Sequence, residues 1–280
     1  MLGLAACSNN TRTSTDPSGQ SSTTDPSYNL AYGFPPSDFA VAGLEQRFPF
    51  LVADSEGVYL SELAGPLEFT VTLGGETVVE GAEVTPRQQG VPRAYVPLRF
   101  TPPEPGIYDV IAEYEGAELP ANIEVVDRGT LALVQVGDAM PSVATPTVDE
   151  HRGVEPICTR DPECPLHQTS LASVIAAGEP SAVLVASPAY CSTTICGPVL
   201  DLLIEEVAAA DRQAIHAEVY ANPGAVDNIV DATLAPTPEA FGLTYEPALF
   251  VADRDGRVVD RLDAVFDQTE ISDALAKAGR

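Results

Sequence analysis

The chain is 280 residues long and 45% hydrophobic, which is enough for two domains with separate cores. Its 41 acidic residues outnumber the 14 basic ones and give a net charge of -27. Such a surface repels nucleic acid and anionic lipid, so neither is expected as a direct partner.

The N-terminal stretch, residues 1–27, combines one cysteine with a polar tract. Leu4-Ala5-Ala6-Cys7 resembles the lipobox of bacterial lipoproteins, in which the cysteine is lipidated and becomes the first residue. Only six residues precede Cys7, so we expect the natural start of such a signal to lie upstream. The Ser/Thr/Asp/Pro-rich tract that follows predicts a flexible tether. The resemblance implies an extracytoplasmic protein that is anchored to the cell membrane by lipid on Cys7.

Residues 28–127 show the two-residue periodicity of strands that bury one face. Apolar and polar side chains alternate in four segments, Leu67–Leu73, Ala94–Phe100, Tyr108–Tyr114 and Ile123–Val125. Pro97 has no backbone N–H, so we expect its strand at a sheet edge. Short strands separated by turn residues at this spacing resemble an immunoglobulin-like β-sandwich, and we predict an all-β domain of that type here.

Residues 128–165 are predicted to connect two domains. Leu131–Val136 has the composition of a strand that would begin the second domain. Further on, Cys158 and Cys164 enclose a charged, proline-containing segment that indicates an exposed loop. In an oxidising compartment such a pair predicts a structural disulfide. A zinc site built from Cys158, Cys164 and His167 is the alternative, but it lacks a fourth ligand in the sequence.

Residues 166–280 alternate between strand and helix patterns. His167–Ala177 predicts a helix, and the apolar run Ala182–Ala186 predicts a strand buried on both faces. A tight turn, the cysteines Cys191 and Cys196 and an amphipathic helix follow that strand. A thiol at the N-terminus of a helix meets partial positive charge, which favours the reactive thiolate.

This order of elements resembles the thioredoxin fold. Ile215–Tyr220 matches the next strand, Pro247 the cis-proline that opens the strand beside the active site, and Thr269–Ala278 the closing helix. The resemblance covers residues 166–280 and implies an α/β thioredoxin-like domain as the second of two domains. The family's Trp-Cys-Gly-Pro-Cys motif is absent: Tyr190 takes the place of the tryptophan, and four residues separate the cysteines.

Two registers of the cysteine pair follow from this resemblance. In the first, Cys191 is the attacking thiol, Cys196 the resolving thiol and Pro198 the proline inside the following helix. In the second, Cys196-Gly197-Pro198-Val199 replaces the family motif, and Cys196 is the nucleophile. Residues five apart in a continuous helix have Cα atoms about 8.6 Å apart, beyond disulfide reach. Cys191 therefore lies in a loop before the helix, or the first helical turn unwinds on oxidation.

Other members of the superfamily offer further interpretations. The C-x4-C spacing resembles one type of peroxiredoxin, but Pro188 occupies the place of that family's threonine. Sco-type copper chaperones use a cysteine pair and a distant histidine, for which His216 is the candidate, although its segment predicts a buried strand. A non-catalytic scaffold or binding lipoprotein with a structural Cys191–Cys196 disulfide is the remaining alternative.

The sequence therefore predicts an extracytoplasmic thiol–disulfide oxidoreductase that acts through Cys191 and Cys196. Tyr190 and Pro247 would shape its substrate groove. The expected partners are envelope proteins with thiols or disulfides, and the membrane through the lipid anchor. No cofactor and no metal centre are predicted.

Overall fold

The computed structural model describes residues 28–210 and 213–279. These residues form three β-sheets and four α-helices, so the molecule is rich in strands. None of the helices in the described part of the chain is long and apolar enough to cross a bilayer. The predictions for residues 1–27, including lipidation of Cys7, lie outside the described residues.

The N-terminal part folds as a β-sandwich. One sheet has the order β1-β3-β6 and the other the order β2-β8-β7-β4-β5; every pairing is antiparallel except β2 with β8. Aromatic side chains join the sheets, as between Phe50 and Phe69, whose ring centroids lie 5.7 Å apart. The strands are β1 (Tyr28–Tyr32), β2 (Ala40–Val41), β3 (Gln46–Asp54), β4 (Leu67–Leu73), β5 (Glu76–Val84), β6 (Val96–Phe100), β7 (Gly106–Tyr114) and β8 (Ala117–Val126).

All four alternating segments overlap strands of this sandwich. Leu67–Leu73 is β4, Ala94–Phe100 extends β6 by two residues, and the other two segments lie within β7 and β8. The prediction for Pro97 is confirmed, because β6 pairs only with β3 and forms an edge of its sheet. The sequence pattern missed β1, β2, β3 and β5.

The C-terminal part contains a four-stranded sheet with the order β10-β9-β11-β12. Strand β10 runs parallel to β9, whereas β11 is antiparallel to both β9 and β12. All five residues of β9 are buried, as its apolar run predicts. The elements are α1 (Leu171–Ala176), β9 (Ser181–Val185), α2 (Cys196–Ala210), β10 (Ile215–Ala217), α3 (Pro236–Phe241), β11 (Ala248–Ala252), β12 (Val258–Asp263) and α4 (Gln268–Lys277).

Two predicted elements in this part need correction. Leu131–Val136 is not a strand, because its backbone bonds to loops and side chains; the Val134 N–H, for example, donates to the Phe241 carbonyl. Helix α1 begins at Leu171 rather than at His167, because Ser170 caps it by accepting a hydrogen bond from the Ser173 N–H. His167 is thereby left outside the helix.

The two parts of the chain are packed together through strand β3, which is buried on both faces. Phe48 and Phe50 point into the sandwich core, whereas Leu51, on the opposite face, packs with residues of the C-terminal part. Because side chains alternate along a strand, one apolar strand can serve two cores. The smaller sheet of the sandwich therefore lies between the larger sheet and the C-terminal part.

A buried ion pair crosses the same interface. Arg47 of β3 donates to both carboxylate oxygens of Glu270 in α4, at 2.9 and 2.6 Å, and to the carbonyls of Asp263 and Val265. The Tyr95 hydroxyl donates to the same carboxylate at 2.5 Å. Burial opposes ionisation of Glu270, but the charge and hydrogen bonds of Arg47 outweigh it and lower the pKa of Glu270 to about 2. The pair is therefore ionised at neutral pH and ties the two parts together.

Candidate functional site

Cys191 and Cys196 form a disulfide between strand β9 and helix α2. Their Cα atoms are 6.0 Å apart, within the range that a disulfide can span. Helix α2 begins at Cys196, so Cys191 lies in the loop before it. The sequence left two arrangements open: Cys191 in a loop before the helix, or a first helical turn that unwinds on oxidation. The structure adopts the first of them.

The two sulfur atoms have different surroundings. Cys191 is partly exposed, whereas Cys196 is fully buried. The backbone N–H of Cys196, at the start of α2, points at the Cys191 sulfur from 3.4 Å, and the Thr193 hydroxyl lies 3.3 Å from it. Donors at a helix N-terminus stabilise a thiolate. Reduction would therefore leave an accessible, stabilised thiolate at Cys191.

Glu246 is a site residue that the sequence analysis did not identify. One of its carboxylate oxygens lies 3.4 Å from the Cys196 sulfur and accepts a hydrogen bond of 2.5 Å from the Ser187 N–H. Burial raises the pKa of Glu246 to about 7, and the nearby charge of Glu218 adds to the increase. A carboxyl with this pKa can give or take a proton at neutral pH. The one feature of the sequence that indicates Glu246 as a site residue is its position directly before Pro247, the predicted cis-proline.

Of the predicted groove residues, Tyr190 directly precedes Cys191, and Pro247 directly follows Glu246, whose carboxylate contacts the Cys196 sulfur. The Glu246–Pro247 peptide bond is cis, and Pro247 is buried directly before β11. Tyr190 is half-buried next to Cys191, and its ring lies 6.3 Å from that of Tyr220. These positions are compatible with the predicted groove.

A cavity of about 290 Å³ lies beside the disulfide, between the sandwich and the C-terminal part. Thr193 and Ile195, from the loop that carries Cys191, line one side of it together with Glu246. The opposite wall comes from the sandwich, and it includes Tyr59 with the guanidinium of Arg93 5.1 Å above its ring. The sandwich thus supplies part of the surface that surrounds the cysteine pair.

The predicted Cys158–Cys164 disulfide is not formed, and both residues are free thiols. The prediction of an exposed loop is also wrong for the cysteines themselves, since both are buried and only the residues between them reach the surface. Both sulfur atoms lie near the imidazole of His216, at 3.7 and 3.5 Å from Nδ1. His216 was the candidate third ligand for a copper site at Cys191 and Cys196, but its Nδ1 faces this second pair instead.

No protein-family model matches the chain, and no curated protein matches it. Among solved structures, dsbF from MTB is 18% identical with a TM-score of 0.31, over 50% of this chain and 97% of that one. The Lin-41 filamin domain is 15% identical with a TM-score of 0.25, over 36% and 97%. The SrpA adhesin from Streptococcus sanguinis is 14% identical with a TM-score of 0.22, over 90% and 98%. Likenesses at these scores assign neither a family nor an activity to the chain.

Proposed function

We propose that the C-terminal part is a thioredoxin-like domain that exchanges disulfides with protein thiols. Its sheet order supports this assignment, with two parallel strands at one side and two antiparallel strands at the other. The observation that carries the proposal is the asymmetry of the cysteine pair. Cys191 is accessible and faces helix N–H donors, whereas Cys196 is buried against a carboxyl whose pKa is about 7.

In the oxidising direction, a client thiolate attacks the Cys191 sulfur. The new bond joins the client to Cys191, the Cys191–Cys196 bond breaks, and Cys196 leaves with the electron pair. Protonated Glu246 gives its proton to this thiolate. A second client thiolate then attacks the client sulfur of the mixed disulfide and releases Cys191 as a thiolate. The client gains a disulfide, and the protein gains the two electrons.

Glu246 allows the buried Cys196 to react in both directions of the disulfide exchange. A buried thiolate without a proton donor would be costly, because burial disfavours charge. In the reverse reaction, ionised Glu246 takes the proton from the Cys196 thiol, which then attacks the mixed disulfide at Cys191. The same carboxyl therefore serves as acid for one direction and as base for the other.

The cavity beside the disulfide supports a protein client rather than a small thiol. Its lining is mostly apolar and aromatic, and it is formed by both parts of the chain. An extended client segment with an apolar side chain near its cysteine would fit such a surface. The sandwich would then act in client binding as well as in spacing the redox domain from an anchor.

The cellular setting forms part of the same proposal. The Leu4–Cys7 motif supports lipidation of Cys7 and an extracytoplasmic location at the cell membrane. The clients would be envelope proteins with thiols or disulfides. Replacement of Cys7 by serine should move the protein, expressed with its full upstream signal, from the detergent phase to the aqueous phase. Unmodified Cys7 in membrane-extracted protein would contradict the anchor.

Trapping of mixed disulfides tests the redox function directly. Cys196→Ser removes the thiol that resolves the intermediate, so covalent adducts between Cys191 and client proteins should accumulate. Cys191→Ser should give none, and the unsubstituted chain, which resolves its adducts through Cys196, is the control. Adducts are counted on non-reducing gels and mapped by mass spectrometry. An equal, low yield from both variants would favour the non-catalytic scaffold.

A further inference from the structure

A second cluster of sulfur and nitrogen atoms is buried in the interior of the molecule. It contains Cys158, Cys164, His167 and His216, which are between 0% and 6% exposed. One potential ligand atom from each residue lies within 4.8 Å of the other three. The first three residues come from the connector and the start of the C-terminal part, and His216 comes from strand β10.

The spacing of these atoms matches the edges of a coordination tetrahedron. His216 Nδ1 is 3.7 Å from the Cys158 sulfur, 3.5 Å from the Cys164 sulfur and 3.2 Å from His167 Nε2. With Zn–S bonds of about 2.3 Å and Zn–N bonds of about 2.05 Å, a regular tetrahedron has S···N edges of about 3.6 Å and N···N edges of about 3.3 Å. Each of the three distances from His216 agrees with these values to about 0.2 Å.

Hydrogen bonding fixes which nitrogen of His216 is available. Its Nε2 lies 2.8 Å from the Ala186 carbonyl, which can only accept, so Nε2 carries the proton. Nδ1 of the neutral ring therefore turns its lone pair into the cluster. A backbone carbonyl that holds the distal N–H in this way is the usual support of a metal-bound histidine.

The imidazoles of His167 and His216 face each other through one ring nitrogen each, and a single cation would bind both nitrogens. His167 Nε2 points at His216 Nδ1, and its own Nδ1 is buried without a hydrogen-bond partner among the described residues. If Nδ1 carries the proton of the neutral His167 ring, two lone pairs oppose each other at 3.2 Å. A positive ion between them and the sulfur atoms turns this repulsion into attraction.

We propose that Cys158, Cys164, His167 and His216 bind one Zn²⁺ ion in a closed, four-coordinate structural site. Two thiolates and two neutral imidazoles carry a charge of -2, which a divalent cation cancels, as a buried site requires. Two sulfur and two nitrogen ligands in a tetrahedron are typical of structural zinc. His216 is the fourth ligand. It lies more than fifty residues from Cys158 and Cys164 in the sequence, so the sequence pattern could not identify it.

The site would support the turn that presents Cys191. Thr159, next to Cys158, bonds through its N–H to Glu218 of the segment after β10, at 2.6 Å. Its hydroxyl accepts a hydrogen bond of 3.2 Å from the Ala189 N–H, two residues before Cys191. Zinc would thereby fix the 158–164 loop against β10. Through Thr159, it would also fix this loop against the loop that contains Ala189 and Cys191.

The test uses the full chain with Cys7, Cys191 and Cys196 replaced by serine, so that the only thiols are those of the cluster. Titration with Co²⁺ alone should saturate at one ion per chain and give tetrahedral ligand-field bands with sulfur-to-cobalt charge transfer. Zn²⁺ should displace the cobalt stoichiometrically.

His216→Ala and Cys158→Ser should each weaken binding by at least about 100-fold, since loss of even an outer partner of a metal ligand costs about 10–100-fold. His151→Ala, at the exposed histidine that pairs with Glu155, is the matched control and should bind normally.

A second measurement decides the question if the ligand variants fail to fold. Protein of this serine background, purified without reductant or added metal, should contain one zinc per chain, and a chelator should release it and unmask two reactive thiols. A Cys158–Cys164 disulfide without metal would overturn the proposal. So would an octahedral cobalt spectrum, normal binding by the His216→Ala variant, or binding of Cu⁺ without any binding of Zn²⁺.

Discussion

At the scale of single residues, Glu246 is the titratable group that the structure adds to the Cys191–Cys196 pair. Its carboxyl contacts the buried sulfur, and burial raises its pKa from 4.5 to about 7. Cys191 and Cys196 are close in sequence and could be identified there. Glu246 lies fifty residues after Cys196 and reaches it only because β11 pairs with β9.

Replacement of this carboxyl should change two pH profiles. The rate at which a client dithiol reduces the disulfide, corrected for client thiolate, should fall above about pH 7 as Glu246 loses its proton. Glu246→Gln should remove this inflection, whereas Glu239→Gln, at an exposed glutamate of α3, should keep it. A stopped-flow profile with an unchanged inflection in the Glu246→Gln variant would contradict the acid role.

The same shift predicts a stability effect with a defined sign. A carboxyl whose pKa is higher in the folded than in the unfolded state stabilises the fold while it is protonated. This contribution is present below about pH 4.5 and is lost as the pH rises through about 7. Glu246→Gln should therefore flatten the decrease in unfolding free energy between about pH 5 and about pH 8, measured by urea titration. A steeper decrease in the variant would exclude the raised pKa.

Exposure of the cysteines predicts which one reacts first. In the reduced protein, Cys191 should be alkylated faster than Cys196 at neutral pH, because it is accessible and faces helix N–H donors. Differential labelling with two isotopic forms of one alkylating reagent, followed by peptide mapping, gives both rates. Preferential labelling of Cys196 would instead support the register in which Cys196-Gly197-Pro198-Val199 is the active motif.

At the scale of elements, the loop after strand β3 completes the wall of the cavity beside the disulfide. Val58 and Tyr59 are among the exposed large apolar residues of the described chain, and both belong to the N-terminal part. Tyr59 lines the cavity and packs under Arg93. Under the proposed function, this exposed aromatic side chain beside the disulfide would contact the client.

Substitution of this aromatic residue should separate client binding from chemistry. Tyr59→Ser should raise KM for a protein client about tenfold, as expected for the loss of one well-placed aromatic contact, and leave the reaction with dithiothreitol unchanged. Val230→Ser, at an exposed apolar residue that does not line the cavity, is the matched control. Equal losses with both substrates would show that Tyr59 acts on the fold rather than on the client.

At the scale of the whole molecule, the sandwich and the C-terminal part behave as one structure. Arg261 of β12 bonds to the carbonyls of Phe39 and Val134, in addition to the Arg47–Glu270 pair. Loss of one partner of the Arg47–Glu270 pair would leave the other charge buried in this interface without its counterion, which costs about 3–5 kcal/mol. The domain boundaries inferred from the sequence remain a prediction. Because the two parts share this interface, unfolding of the full chain is the measurement that tests whether they are independent.

The interface predicts a single cooperative unfolding transition for the full chain. Glu270→Gln should lower the unfolding free energy by about 3 kcal/mol, because it leaves Arg47 charged and buried without its anion. The Arg47→Met/Glu270→Gln double variant should recover part of this loss. Because the pKa of Glu270 is lowered to about 2, the stabilisation is present above about pH 4.5 and is lost as the pH falls through about 2. Two separate transitions in calorimetry of the full chain would indicate independent domains.

The sequence by itself determined some of the local elements and the cysteine pair. Alternation located β4, β6, β7 and part of β8, and the apolar run located β9. These features depend on neighbours in the chain, so the sequence displays them directly.

Only the tertiary structure decided what is distant in sequence and close in space. Tyr95 holds a position on the predicted polar side of the alternating segment Ala94–Phe100, yet it is fully buried, and its hydroxyl bonds to Glu270 of α4. Glu246 and Cys196 meet through strand pairing, and His216 joins Cys158 and Cys164 across more than fifty residues. Periodicity predicts which face of an element is apolar, but the partner that covers that face depends on how the sheets are ordered and packed.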